Sequence, residues 1–124
     1  MCELRGIGVD LCGIGRMEKL AADERFLNRW FTPAEQAYIR SKGVAAAQTL
    51  AGIFAAKEAF AKALGTGIDM PLREIGVDHT ETGQPVYALT GTAAERLGGD
   101  RALLSISHEG DMAAAFCVIQ KRTE

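Results

Sequence analysis

The chain has 124 residues, of which 48 % are hydrophobic, and a formal net charge of −2. That suits one globular domain spanning 1–124 with a single core. There is no basic run to neutralise a phosphate backbone, no apolar window long enough to cross a bilayer and no apolar signal region in MCELRG, so no nucleic acid, no membrane and a cytoplasmic location are expected. Cys2, Cys12 and Cys117 are far apart and without CxxC spacing, which argues against a disulfide framework or a zinc site.

Arg5–Leu11 alternates Ile7, Val9 and Leu11 with Gly6, Gly8 and Asp10 and reads as a strand. One of its faces is apolar; the other is stripped to backbone and ends in a carboxylate, a pattern that marks close approach by another backbone or a ligand. Arg16–Ala22 reads as a short helix, and Asp23–Arg29 carries a mixed basic and aromatic patch. Thr32-Pro33-Ala34-Glu35 is a capping box with proline at the first helical position; it opens a helix to about Ser41 that Gly43 stops. Trp30, beside Phe31, reads as a packing anchor between helices.

The longest helix is predicted from about Ala45 to Leu64, with Gly65 as its left-handed stop. Leu50, Phe54, Ala61 and Leu64 share one arc of it, flanked by Ile53 and Phe60. Lys57 falls within that arc. Glu58 and Lys62, four residues apart, share a face at its edge.

Glu74–Asp78 and Pro85–Leu89 read as a hairpin around Thr80–Gln84. Thr92-Ala93-Ala94-Glu95 resembles a second capping box, closed by Gly98-Gly99. Ala102–Ser107 and Met112–Gln120 are the last strands, joined by a turn at His108-Glu109-Gly110-Asp111, and Lys121–Glu124 is a polar tail. The order β-α-α-α-β-β-α-β-β, rich in hairpins, is α+β with a mainly antiparallel sheet.

Asp10 and Glu58 are hard oxygen donors of the kind magnesium takes in ones or twos, leaving room for water and substrate phosphate. Lys62 can set a cation on the same phosphates, His108 can donate to an anion or carry a proton, and Gly65-Thr66-Gly67 can present amides to a phosphate. Each has an ordinary alternative: a turn cap for Asp10, a surface ion pair for Glu58 and Lys62, a helix stop for Gly65 and a plain turn residue for His108.

GIGVDL at Gly6–Leu11, FAAKEAFAKALGTGI at Phe54–Ile68 and SISH at Ser105–His108 resemble the three signatures of the holo-acyl-carrier-protein synthases, the small 4′-phosphopantetheinyl transferases, over nearly the whole chain and in order. The resemblance implies a long helix packed across a small antiparallel sheet and a homotrimer with active sites at subunit interfaces. It also implies transfer of 4′-phosphopantetheine from coenzyme A, the substrate, to a serine of apo acyl carrier protein in fatty acid biosynthesis. By motif match, Asp10 and Glu58 fall on magnesium ligands, with Glu58, Lys62 and His108 catalytic. Coenzyme A contacts fall on Lys57, Lys62, Gly65, Thr66, Gly67, Gly83, Pro85 and His108. Arg16, Arg25, Phe26 and Arg29 fall on the segment that docks the carrier protein. Many members carry arginine where this chain has Ile53 and lysine where it has Gln84, both near the nucleotide. Lys57 suits either a stem packed on the core or a cation facing the coenzyme across a subunit boundary, and the second is the expectation. The alternatives are a transferase dedicated to a secondary-metabolite carrier and a non-catalytic module that binds coenzyme A or a carrier.

Overall fold

The computed structural model describes residues 3–122; Met1, Cys2, Thr123 and Glu124 lie outside them. The order is β1 (Glu3–Gly13), α1 (Glu24–Trp30), α2 (Pro33–Ser41), α3 (Ala46–Leu64), β2 (Ile75–His79), β3 (Pro85–Leu89), α4 (Gly91–Leu97), β4 (Arg101–Glu109) and β5 (Met112–Lys121). Strands β1, β5 and β4 form an antiparallel sheet in that order, and β2 and β3 form a separate hairpin. Helix α3 packs across β1 and β5, which is the α+β arrangement expected.

Strand β1 turns its glycine face to the helix. A Cβ at Gly6 would be built into the carbonyl oxygen of Ala63, and one at Gly8 into that of Ala59. Ala55, Ala56, Ala59 and Ala63 are buried, so two small-residue surfaces meet backbone to backbone. The apolar side of the strand therefore points outward: Ile7, Val9 and Leu11 are 63 %, 53 % and 63 % exposed. Leu103, Met112 and Phe116 are exposed on the same sheet, with Val9 paired to Phe116 and Ile7 to Val118. Cys12 and Cys117 are both buried free thiols.

Three local expectations are corrected. Arg16–Ala22 is not a helix but two 3-10 turns, Gly15–Met17 and Leu20–Ala22; the helix starts later because the Asp23 carboxylate accepts from the amides of Arg25 and Phe26. Thr92 does not cap α4. That helix begins at Gly91, and Glu74 Oε1 accepts from Thr92 N at 2.7 Å, supplying the cap from another element. The Thr32–Glu35 capping box is present with both of its hydrogen bonds.

The third correction concerns Lys57, which is no coenzyme-facing cation. It is 0 % exposed. Its Nζ donates to both Glu35 oxygens at 2.9 Å, to Leu72 O at 2.9 Å and to Ile75 O at 3.0 Å. Glu35 in turn accepts from Val77 N at 2.8 Å and Thr32 N at 2.9 Å. Burial pulls the Lys57 pKa down and Glu35 pulls it back up. The pair ties α3 to the start of α2 and the start of β2. A lysine lies within an apolar arc because a carboxylate and two carbonyls wait at the bottom of it.

Removing one member of a buried pair strands the other. Lys57→Met is expected to lower unfolding free energy by about 3–5 kcal/mol in urea titrations. Lys62→Met, at the surface, should cost less than about 1 kcal/mol.

Candidate active site

The glycine contact sets where β1 meets the last turns of α3, and three of the expected residues converge there. Asp10 follows Gly6 and Gly8 on the helix-facing side of the strand. Glu58 and Lys62 border the same seam. Lys62 Nζ lies 3.0 Å from Asp10 Oδ1 and 3.1 Å from Val9 O, so this lysine reaches across to the strand, where sequence spacing had paired it with Glu58. Glu58 is half-buried. Burial pushes its carboxyl pKa up, and the Asp10 charge pushes it further; Lys62 and Arg16 act against both.

Among the described residues no three His, Cys, Asp or Glu side chains gather as a metal cluster. The two carboxylates instead match an ion that takes few protein ligands and keeps water and substrate oxygens. Magnesium does this. The donor set is all hard oxygen, and burial together with the Asp10 charge leaves Glu58 favouring a cation or a proton. On these grounds the residues present suit magnesium.

Gly65, at φ +81°, closes α3, and its N–H is spent on Lys62 O at 3.0 Å. Its amide therefore serves the helix stop and is not offered to a phosphate. Thr66 and Gly67 are exposed beside it.

His108 is not in a turn. It lies in β4, which runs on to Glu109. Its Nε2 is 3.2 Å from Gln48 O, and the imidazole fits because position 52 is glycine: a Cβ there would lie 3.1 Å from Nε2 and 2.9 Å from Ile106 Cγ2. Gln48 and Gly52 precede Glu58 by ten and six residues on one helix, about 15 and 9 Å along its axis. The fold thus sorts the expected residues into two groups. His108 lines a cavity of about 170 Å³ with Gly83, Pro85, Ile53, Thr49, Tyr38 and His79.

Tyr38, Thr49, Gly52 and His79 were not picked out from sequence. Tyr38 and His79 carried no motif signal, and they meet only because the buried Glu35 draws α2 onto β2. Their rings stack at 3.9 Å between centroids, 10° from parallel.

The basic and aromatic segment borders the first group. Arg16 lies 6.0 Å from the Phe54 ring, and Phe26 packs 6.4 Å from Phe54 and 5.8 Å from Phe31. Phe54 is one turn before Glu58. Arg25 is exposed, and Arg29 stacks on the half-buried Trp30 at 4.7 Å.

Residues 6–117 match a family model described as ACPS, the 4′-phosphopantetheinyl transferase superfamily. A holo-[acyl-carrier-protein] synthase from Treponema denticola is 44 % identical over 119 residues, covering 93 % of this chain and 97 % of that one. The crystal structure of holo-[acyl-carrier-protein] synthase from Neisseria meningitidis superposes with a TM-score of 0.83 at 38 % identity, covering 96 % of this chain and 100 % of that one. The synthase from Helicobacter pylori in complex with coenzyme A gives 0.80 at 30 % identity, covering 91 % and 98 %.

Because the Glu58 pKa is raised on folding, native protein binds more protons than unfolded chain between the ordinary glutamate value and the raised one. Stability is lost as pH climbs through that window, and the penalty stands in full above it. Glu58→Gln removes the charge. In thermal melts of metal-free protein it should be more stable than the parent at pH 7 and indistinguishable from it below about pH 4, the ordinary glutamate range.

Proposed function

The chain belongs to the 4′-phosphopantetheinyl transferase superfamily, and from that premise we propose that it is a holo-acyl-carrier-protein synthase. It moves the 4′-phosphopantetheine arm of coenzyme A to a serine hydroxyl of apo acyl carrier protein, in fatty acid biosynthesis, and releases adenosine 3′,5′-bisphosphate. The carrying observation is the seam at which Asp10, Glu58 and Lys62 meet, in a chain that matches such synthases over nearly their full length. A non-catalytic binding module has no use for two opposed carboxylates there.

The serine oxygen attacks the phosphorus that bears pantetheine, the phosphoanhydride P–O bond breaks, and the bisphosphate leaves. Positioning and charge neutralisation do most of the work in such transfers. Asp10 and Glu58 would hold magnesium, which when bound would supply charge neutralisation at the reacting phosphates. Glu58, or a water on the metal, takes the serine proton. Lys62 gives a charge-assisted hydrogen bond to the departing phosphate. Thr66 and Gly67 flank that phosphate, and His108 orients the pyrophosphate from its cavity, whose Gly83–Pro85 wall faces the nucleotide.

His108 and Glu58 fall in two separate groups on one chain, and in this reading a second copy sets one group against the other. The apolar outer face of the sheet supports that assembly. Ile7, Val9, Leu11 and Phe116 make a patch that a monomer would leave in water. A homotrimer around this face sets the His108 cavity of one copy against the Asp10–Glu58 seam of the next. Arg16, Arg25 and Arg29, with Phe26 beside Phe54, form the surface for the acidic carrier. Among the described residues no helix is long and apolar enough to cross a membrane, and a cytoplasmic site matches the supply of coenzyme A.

Incubation with coenzyme A, magnesium and an apo carrier is expected to add about 340 Da to the carrier by mass spectrometry. Asp10→Asn and Glu58→Gln should each lower kcat/KM at least about 100-fold; near-parental rates in both would sink the assignment. Inactive Glu58→Gln and inactive His108→Ala chains, when mixed and reassembled, should regain part of the activity, because some interfaces then hold one intact site. Absence of rescue with mixed oligomers present would rule out the shared site.

A further inference from the structure

The cavity that holds His108 has a second imidazole. His79 closes β2, one residue before the turn that brings round Gly83 and Pro85. That turn is held by Thr80 N to Gln84 O at 2.9 Å, Gly83 N to Thr80 O at 2.9 Å and Gln84 N to Thr80 Oγ1 at 3.1 Å, so His79 and the Gly83–Pro85 wall keep a fixed distance. The His79 ring lies flat on Tyr38, and among the described residues neither of its ring nitrogens makes a hydrogen bond. The lining contains no lysine or arginine; Tyr38, His79 and His108 are its only titratable residues. Yet the nucleotide half of coenzyme A, assigned to this cavity above, carries a ribose 3′-phosphate.

We propose that His79 is a specificity-determining residue of this chain: it binds the 3′-phosphate of coenzyme A through its free imidazole and takes up a proton as it does so. The proposal rests on the coenzyme reading above. In the free protein, burial holds the His79 pKa below the usual histidine value. Asp78 on the same strand and Glu35 on α2 act to raise it, and Lys42 at the end of α2 acts with burial to lower it. Lys42 also lies 4.6 Å from the Tyr38 ring. Tyr38 offers a flat face and no charge, and His108 is the remaining titratable neighbour across the cavity. A phosphate dianion tips this balance towards imidazolium, so the proton arrives with the ligand. Lower pH then favours coenzyme A over its 3′-dephospho form.

The test is calorimetric titration of the assembled protein, with magnesium, against coenzyme A and dephospho-coenzyme A from pH 6 to pH 8. For the parent, coenzyme A affinity should fall roughly five- to tenfold over that range. The binding enthalpy at pH 7 should vary with the ionisation enthalpy of the buffer, reporting proton uptake. Dephospho-coenzyme A should show little of either. His79→Gln should lose the proton uptake and the advantage of coenzyme A at pH 6, with dephospho-coenzyme A affinity unchanged. His79→Lys should bind coenzyme A tightly at both ends of the range. Proton uptake that persists in His79→Gln, or equal losses for both ligands, overturns the proposal. If the parent binds neither ligand at any pH, the coenzyme reading itself falls.

Discussion

Everything in this molecule hangs from the contact between a strand without side chains and a helix with almost none. Gly6 and Gly8 lie against the carbonyls of Ala63 and Ala59, where any Cβ would collide with backbone. That proximity brings Asp10, the next residue on the same face, to the flank of α3 where Glu58 and Lys62 stand. It also drives the apolar half of the strand outward. One packing decision thus builds the charged seam and leaves the apolar face of the strand exposed. Seam and patch lie on opposite faces of β1, and neither can be had without the other while the strand alternates.

The opposite flank of α3 is organised by the buried Lys57–Glu35 pair. The pair joins α2, α3 and β2: the three N–H groups of Lys57 reach four acceptors, one of them shared between the Glu35 oxygens, and Glu35 accepts further from Val77 and Thr32. Satisfying both ions this fully is what makes such burial tolerable. Its consequence is felt a few residues away. Tyr38 is one turn beyond Glu35, and His79 is two residues beyond Val77, so the same tie that neutralises Lys57 lays the two rings on each other. A residue first assigned to coenzyme contact turns out to act through structure, and the cavity wall it shapes contains groups that no motif marked.

Long helix α3 therefore serves two separate places. Its C-terminal half carries the carboxylate and lysine of the charged seam. Its N-terminal half, thinned at Gly52, makes room for His108. In the proposed reading the two groups of neighbouring copies are brought together by association. In the proposed reading the division also separates charge neutralisation, at the seam, from recognition of the nucleotide, in the cavity.

Much of this was legible in the residues themselves. The boundaries of α2 and α3 followed from a capping box and a left-handed glycine, which are local and need no partner. The hairpin of β2 and β3 followed from its turn, and Asp10, Glu58 and Lys62 stood out through spacing and resemblance. The misplaced first helix and the wrong cap of α4 failed for one reason: Asp23 and Glu74 compete as caps, and Glu74 reaches its amides from 18 residues away. Lys57 misled because a wheel shows which face a residue takes but not what waits there. Sequence alone determined most of the element types, the chemical kit and the order of the chain, because these depend on neighbours a few residues apart. Only the tertiary structure decided which face of β1 is inside, that Lys62 reaches Asp10, that Lys57 is an interior tie, and that His108 sits with His79 rather than Glu58. These depend on backbones and charges brought together from distant parts of the chain, where packing and desolvation, not local propensity, choose the partner.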